Sequence, residues 1–283
     1  LSVAGDVEIR VLEAGEIEEL VGWAALEGWN PGHGDAAAFR AADPEGFLGC
    51  FVNGRLAAGI SAVRYGSGFG FIGLYICHPD FRGQGFGRQV WAAGMAHLAG
   101  RVVGLDGVIE QQASYGRMGF VSAHDTVRWS IERMPPLARS DAGCHSVGEG
   151  DVADILTFDR VFFAEPRDGF VSAWLRAPRR AFVCRRQGAV AGYAVVRPCL
   201  SGYKIGPVFA IDGRTAEDLL KVCLANLKGE EVHLDVPEYQ EGFRYLLGRL
   251  GFRQGFQTAR MYRGEPPELD KAGVYAITTL ELG

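Results

Sequence analysis

The chain has 283 residues, of which 48% are hydrophobic and 22% charged, enough for one large or two ordinary globular domains with a sizeable core. A formal net charge of −5 gives no general attraction to nucleic acid or to an anionic membrane, and no apolar run is long enough to cross a bilayer. The six cysteines (Cys50, Cys77, Cys144, Cys184, Cys199, Cys223) are scattered with no C-x-x-C pair, and residues 1–6 show no secretory leader, so reduced thiols in a cytoplasmic protein are expected.

In chain order, residues 7–12 read as a strand and 16–27 as an acidic amphipathic helix. Trp29-Asn30-Pro31-Gly32-His33-Gly34-Asp35 interrupts it, and Asp35 is placed to cap a second helix over 36–42. Residues 46–52 and 55–65 read as a hairpin, because Asn53-Gly54 is a strong type I′ turn signal. The apolar run 69–77 is a further strand, and 88–100 shows helical spacing at Val90, Trp91, Met95 and Leu98. Strand 102–108, a short helix over 113–118 and a closing strand region over 120–131 follow.

Between the strand ending at Cys77 and the helix lies Arg82-Gly83-Gln84-Gly85-Phe86-Gly87-Arg88. A glycine-rich turn at a helix start leaves backbone N–H groups unpaired, with the positive end of the helix dipole behind them, and a phosphate is their natural partner. A side chain in place of glycine would hold the phosphate away. The segment has neither the G-x-x-x-x-G-K-[ST] of a nucleotide loop nor a G-x-G-x-x-G. It fits Arg/Gln-x-x-Gly-x-Gly, and downstream Tyr115-Gly116-Arg117-Met118-Gly119-Phe120 fits Tyr-x-x-x-Gly-Phe. With Leu74-Tyr75-Ile76-Cys77-His78-Pro79 before the loop, the region 7–133 resembles the GNAT acetyltransferase superfamily.

Residues 134–150 are small, polar and glycine-containing, as expected of a linker. Beyond them the pattern starts again: helices over 152–163 and 170–175, a hairpin over 181–197 around Gln187-Gly188, a strand over 203–210, a helix over 215–227 and a strand over 232–236. Leu250-Gly251-Phe252 echoes Met118-Gly119-Phe120, so the second half reads as a diverged repeat of the first. The expected class is α/β (α+β): two GNAT-like domains, each a mixed, mostly antiparallel sheet flanked by helices, over 1–133 and 151–283. The second copy lacks the chemistry. Ile211-Asp212-Gly213-Arg214-Thr215 stands where the loop belongs, Asp212 would repel a pyrophosphate, and Leu247 occupies the position of Tyr115. The alternating tail 275–282 reads as a last strand.

The resemblance implies a coenzyme-A thioester bound by Arg82, Gly83, Gln84, Gly85, Phe86, Gly87 and Arg88, with main-chain groups of Tyr75, Ile76 and Cys77 meeting the pantetheine where a bulge splays two strands. A backbone N–H near Ile76 is the implied oxyanion donor, and Tyr115 the acid for the leaving thiolate. Many members carry a glutamate base on the fourth strand, but residues 69–77 contain no acid. Asp106 and Glu110 are the nearest acidic residues, and His78 and His33 the nitrogen alternatives. A water chain is another route, and some tandem members use a chain-terminal carboxylate, which adds Gly283 and Glu281. Trp29, Asn30, His33 and Asp35 fall where the superfamily places its acceptor lid and offer an aromatic wall with polar groups for an amine. Arg179-Arg180 and Arg185-Arg186 are candidates for the coenzyme 3′-phosphate. No zinc-like histidine spacing occurs, so no metal is expected.

The function implied is acetyl-CoA-dependent N-acetylation of a small primary amine, by an enzyme that could also dimerise. Two alternatives come from other classes: a non-catalytic acyl-CoA sensor, suggested by the missing glutamate, and an aminoacyl transferase using charged tRNA, against which the acidic charge and the coenzyme-type loop both argue.

Overall fold

A computed structural model describes residues 6–136, 143–225 and 227–283. The first half runs β1 (Val7–Val11), α1 (Ala14–Leu26), α2 (Asp35–Arg40), β2 (Phe47–Val52), β3 (Arg55–Tyr65), β4 (Phe69–Cys77), α3 (Phe86–His97), β5 (Val102–Val108), α4 (Ile109–Arg117) and β6 (Val121–Ile131). The second runs β7 (Cys144–Ser146), α5 (Val152–Asp159), α6 (Asp168–Trp174), β8 (Arg180–Arg186), β9 (Ala189–Pro198), β10 (Tyr203–Ala210), α7 (Gly213–Leu224), β11 (Val232–Pro237), α8 (Glu241–Arg249), β12 (Arg253–Arg263) and β13 (Val274–Ala276). Each half is therefore a mixed, mostly antiparallel sheet flanked by helices, as its residue pattern predicts.

Local chemistry sets several of these elements. Asn53 and Gly54 both take positive φ (50° and 74°), the backbone of a type I′ turn, and close the β2–β3 hairpin. The α2 start differs from expectation. Gly34, at φ 72°, is its N-cap, and Asp35 is the first helical residue, its carboxylate turned back to the Gly32 N–H at 2.7 Å. The linker expected over 134–150 contains the edge strand β7, while residues 137–142 lie outside the described residues. On β7, Cys144 stands opposite Cys184 of β8 with Cα atoms 4.0 Å apart, and the two form a disulfide. The expectation of six reduced thiols fails at this pair, because facing positions on an antiparallel ladder bring two Cβ atoms within bonding reach.

Among the described residues thirteen strands form one sheet in the order β1-β2-β3-β4-β5-β12-β6-β11-β10-β9-β8-β7, with β13 on β10. The halves thus exchange strands. β12, from the end of the chain, lies between β5 and β6, and β6 lies between β12 and β11. The closing strand region expected over 120–131 forms, but its neighbours belong to the second half.

β4 and β10 carry the same irregularity. Between the Gly59–Ile76 and Ser61–Gly73 pairs, Ile60 of β3 faces both Leu74 and Tyr75 of β4. Leu74 is in the left-handed region at φ 44°. On the other side, Val195 of β9 faces both Gly206 and Pro207 of β10. Such bulges bend a strand and end its pairing. The parallel ladder of β4 with β5 stops at Ile72–Leu105, and that of β10 with β11 stops at Lys204–His233. Two gaps open. In the second half β13 fills the gap by pairing with β10, and the next residue, Ile277, donates its N–H to the Asp235 carbonyl of β11 at 3.0 Å. The tail forms a strand only over Val274–Ala276, because beyond it the chain leaves β10 and crosses to β3 and β4.

Candidate active site

In the first half the gap is open. A cavity of about 670 Å³ lies between Gly73–Cys77 of β4 and the outer end of β5. Trp29, Leu105, Val108, Phe256 and Leu280 supply apolar wall, and Asp106, Glu110, Tyr115, Arg128 and Glu281 supply polar groups.

At its mouth is the glycine-rich turn. Gly85 caps α3 at φ 89° with no side chain occupying the helix N-terminus, and a Cβ there would meet open space. The N–H groups of Gly83, Gln84, Gly85, Phe86 and Arg88 find no acceptor among the described residues. Donors converging at a helix start, with the dipole behind them, form an anion cradle. Gly87 is needed for close approach, since a Cβ would come within 3.0 Å of the Tyr75 hydroxyl. Arg82 is tethered rather than free: its Nε donates to the Cys77 carbonyl at 3.0 Å and its Nη2 to Glu27. Arg88 is exposed and unpaired among the described residues.

Tyr115, on the last turns of α4, stacks on Trp91 with ring centroids 5.6 Å apart and meets Phe120 edge-on. Its hydroxyl has no partner among the described residues and borders the cavity. Burial pushes its pKa up to about 12, so the phenol keeps its proton across the neutral range.

The acidic candidates separate. Asp106 lines the cavity, but both its oxygens accept from Arg260, at 2.8 and 2.9 Å. Burial raises its pKa while Arg260 pulls the other way, and its lone pairs are committed to that pair. Glu110 is exposed at the cavity rim in the first turn of α4. His78 accepts from the Asp80 N–H with its Nδ1 and caps a short turn outside the cavity.

Of the expected acceptor lid only Trp29 reaches the cavity. Asn30 exchanges two hydrogen bonds with the Ser201 backbone, at 2.8 and 2.9 Å. His33 is exposed and donates its backbone N–H to the Pro198 carbonyl. Asp35 is buried and meets Arg197 at 2.6 Å. This loop is a clamp between the halves: Asn30 and Asp35 spend their side chains in it, and the exposed His33 does not line the cavity. The arginine pairs proposed for a 3′-phosphate are likewise engaged: Arg179 with the Gly34 carbonyl, Arg180 over the Tyr203 ring, Arg185 with Asp151 and Asp154, and Arg186 with Asp212.

Local sequence reasoning missed Arg128, Phe256, Thr258 and Leu280, which reach the cavity through the strand exchange and the tail. Glu281, one of the two tail carboxylates that the resemblance offers, lines the cavity as well. The one local signal was an acid flanked by leucines, Leu280-Glu281-Leu282, in an otherwise apolar tail.

A splayed, bulged strand beside a turn of free backbone N–H groups, repeated once in degenerate form, defines a tandem architecture with an anion-binding turn in its first half. Comparison with known proteins agrees. The sequence model described as "Acetyltransferase (GNAT) family" matches residues 12–120, and that described as "Acetyltransferase (GNAT) domain" matches 155–276. Holothin acyltransferase of Pseudoalteromonas sp. (strain SANK 73390) is 32% identical over 92% of this chain and 89% of its own. A solved Pyrococcus horikoshii protein, provisionally described as an acetyltransferase, superposes with a TM-score of 0.82 at 21% identity over 100% of this chain and 98% of that one. A tandem GNAT protein from the clavulanic acid biosynthesis pathway gives 0.59 at 15%, over 93% of this chain and 100% of that one. The chain belongs to the GNAT acetyltransferase family, with two GNAT domains in tandem, and is an acyltransferase.

Proposed function

We propose that the protein transfers an acetyl group from acetyl-CoA to the primary amine of a small molecule, and that the reaction occurs in the first half. The observation that carries this reading is the cradle of N–H groups at residues 83–88, free of protein acceptors among the described residues, at the mouth of the gap beside β4. The pyrophosphate lies on those donors. The pantetheine runs along Tyr75, Ile76 and Cys77 into the gap, where hydrogen bonding to exposed main-chain groups is the natural fit for its amides. The thioester then reaches the region between β4 and Tyr115. A β4 backbone N–H near Ile76 stabilises the tetrahedral oxyanion, and the Tyr115 phenol protonates the leaving thiolate. A cavity of about 670 Å³ whose apolar wall is set with a few polar groups suits a small acceptor better than a polypeptide segment.

The test is a calorimetric titration of acetyl-CoA into wild type and Gly85→Glu, which adds bulk and negative charge at the cradle. Wild type is expected to bind with a dissociation constant on the order of micromolar, and the variant, still folded, to lose at least about 100-fold. No binding by the wild type would remove the coenzyme reading. Binding unchanged in the variant would move the coenzyme elsewhere.

A further inference from the structure

Buried carboxylates in this chain are held in ion pairs. Asp35, Asp43, Asp151, Asp159 and Asp235 each face an arginine at 3.0 Å or less. Among the described residues Glu281 is the exception. It is 5% exposed, yet no cation lies within salt-bridge reach of its carboxylate. Its Oε2 accepts from the Thr279 hydroxyl. Its Oε1 has no hydrogen-bond partner among the described residues and is not sealed from solvent, and the residue lines the cavity beside β4. A carboxylate left half-unpartnered at the wall of a cavity is poised for something that enters it.

The path of the chain explains how it arrives there. β13 sits in the gap of the second half, between β10 and β11, where the first half keeps its opening. The chain then passes Gly206, where an added Cβ would come within 2.3 Å of the Ile277 carbonyl oxygen. It ends against β4, where a Cβ on Gly73 would come within 2.1 Å of the Glu281 carbonyl oxygen. The Ser61 hydroxyl at 3.4 Å and the Tyr65 hydroxyl at 3.0 Å fix the Glu281 and Leu282 carbonyls. Glycine at both crossings lets the backbone of the tail lie directly on the bulged strands.

From this placement we propose that the second half is a delivery device: its gap clamps β13, and the strand carries Glu281 into the first half as the proton acceptor for the amine substrate. The inference rests on the acetyl-transfer reading given above. The amine nitrogen attacks the thioester carbonyl carbon, the N–C bond forms and the C–S bond breaks. The proton leaving nitrogen passes to Glu281 Oε1, and sulfur takes one from the Tyr115 phenol. Solvent carries the proton of Glu281 back to the phenolate, so that amine and thioester become amide and thiol with no net proton change. Charged groups face Glu281 from every side: Arg197 of β9, Lys204 of β10, Arg128 of β6, Asp106 of β5 and Asp35 of α2. Burial works to raise its pKa, but Arg197, Lys204 and the Thr279 hydroxyl outweigh this and hold it below the ordinary carboxylate value, so it is ionised when substrate arrives.

The experiment compares the full-length wild type, Glu281→Gln and Gly206→Ala at saturating acetyl-CoA, with methylamine, benzylamine and aniline as acceptors and released thiol as the readout. Acetyl-CoA affinity is measured in parallel, and thermal melts establish that each variant is folded. Glu281→Gln is expected to lower kcat by on the order of 10²-fold with coenzyme affinity unchanged, and its residual rate to climb with pH where that of the wild type is level. Gly206→Ala, in the other half, is expected to lower kcat by roughly tenfold without weakening the coenzyme, because a shifted tail misplaces the carboxylate. If the wild type acetylates an amine and folded Glu281→Gln retains its kcat and pH profile, the proposal is overturned while the acetyl-transfer reading stands. If Gly206→Ala is folded and fully active, delivery by the second half is overturned. If the wild type binds acetyl-CoA but acetylates none of the three amines, the acceptor reading falls and the proposal with it.

Discussion

β4 and β10 are bulged at equivalent places and both lose their parallel partner beyond the bulge, but the two gaps meet different fates. Beside β4 the gap stays open, the loop before α3 keeps its N–H groups free, and Tyr115 reaches the cavity. Beside β10 the gap holds β13, and the helix that follows is already capped: Asp212 accepts from the Thr215 N–H at 2.8 Å and pairs with Arg186. Leu247, at the position of Tyr115, is fully buried among apolar neighbours. A splayed strand is thus a common geometric product of the fold. Whether it binds a ligand or grips its own chain depends on what competes for the donors and the space.

The largest difference to be measured between the halves is catalytic. Tyr115→Phe is expected to cut kcat by on the order of 10²-fold while leaving acetyl-CoA affinity unchanged, whereas Leu247→Met in the second half should change kcat by less than about twofold. Equal losses in both variants, or none in either, would break the comparison, and indifference to Tyr115→Phe would favour a sensor over an enzyme.

A smaller effect concerns the seam. Lys204 is buried with its Nζ donating to the Trp29 carbonyl of the first half at 2.8 Å. Burial, helped by Arg128 and Arg197, pushes its pKa down to about 8 from an ordinary 10.5. Below pH 8 both folded and unfolded chains hold the proton, and the cost of burying it is fully present. Between pH 8 and 10.5 the unfolded chain holds more protons than the folded one, so this residue's contribution to stability rises with pH, by on the order of 2 kcal/mol. Denaturant titrations at pH 7.5 and 10 should show Lys204→Met losing its advantage over wild type as pH rises. A constant difference between the two proteins would mean that the lysine does not titrate in that window.

The smallest effect is at the degenerate loop. Asp212→Ala should cost about 1 kcal/mol of stability through the lost helix cap and leave acetyl-CoA binding unaltered, as read by denaturant and calorimetric titration. A second coenzyme equivalent bound by this variant would show that Asp212, and not β13, is what closes the second half.

The parts of this molecule legible in its sequence are those with local causes. Asn53-Gly54 fixes a turn by its own backbone preference, and Arg82-Gly83-Gln84-Gly85-Phe86-Gly87 makes an anion cradle from consecutive residues. The tandem repeat and the degeneracy of its second copy were likewise readable from spacing. Asp35 shows where local reasoning stops. Its position before a helix suggests a cap, but its carboxylate meets Arg197, 162 residues away. Asp106 looks available as a base until Arg260, 154 residues on, takes both its oxygens.

The sequence by itself determined the family, the alternation of strands and helices, and the glycine-rich turn before α3, because each of these is encoded within a few neighbouring residues. Only the tertiary structure decided which gap stays open, which carboxylates are spent in ion pairs and how Glu281 comes to lie against β4. Those outcomes depend on strand exchange and on a tail whose contacts span up to 220 residues, and no short-range pattern specifies which distant groups will meet.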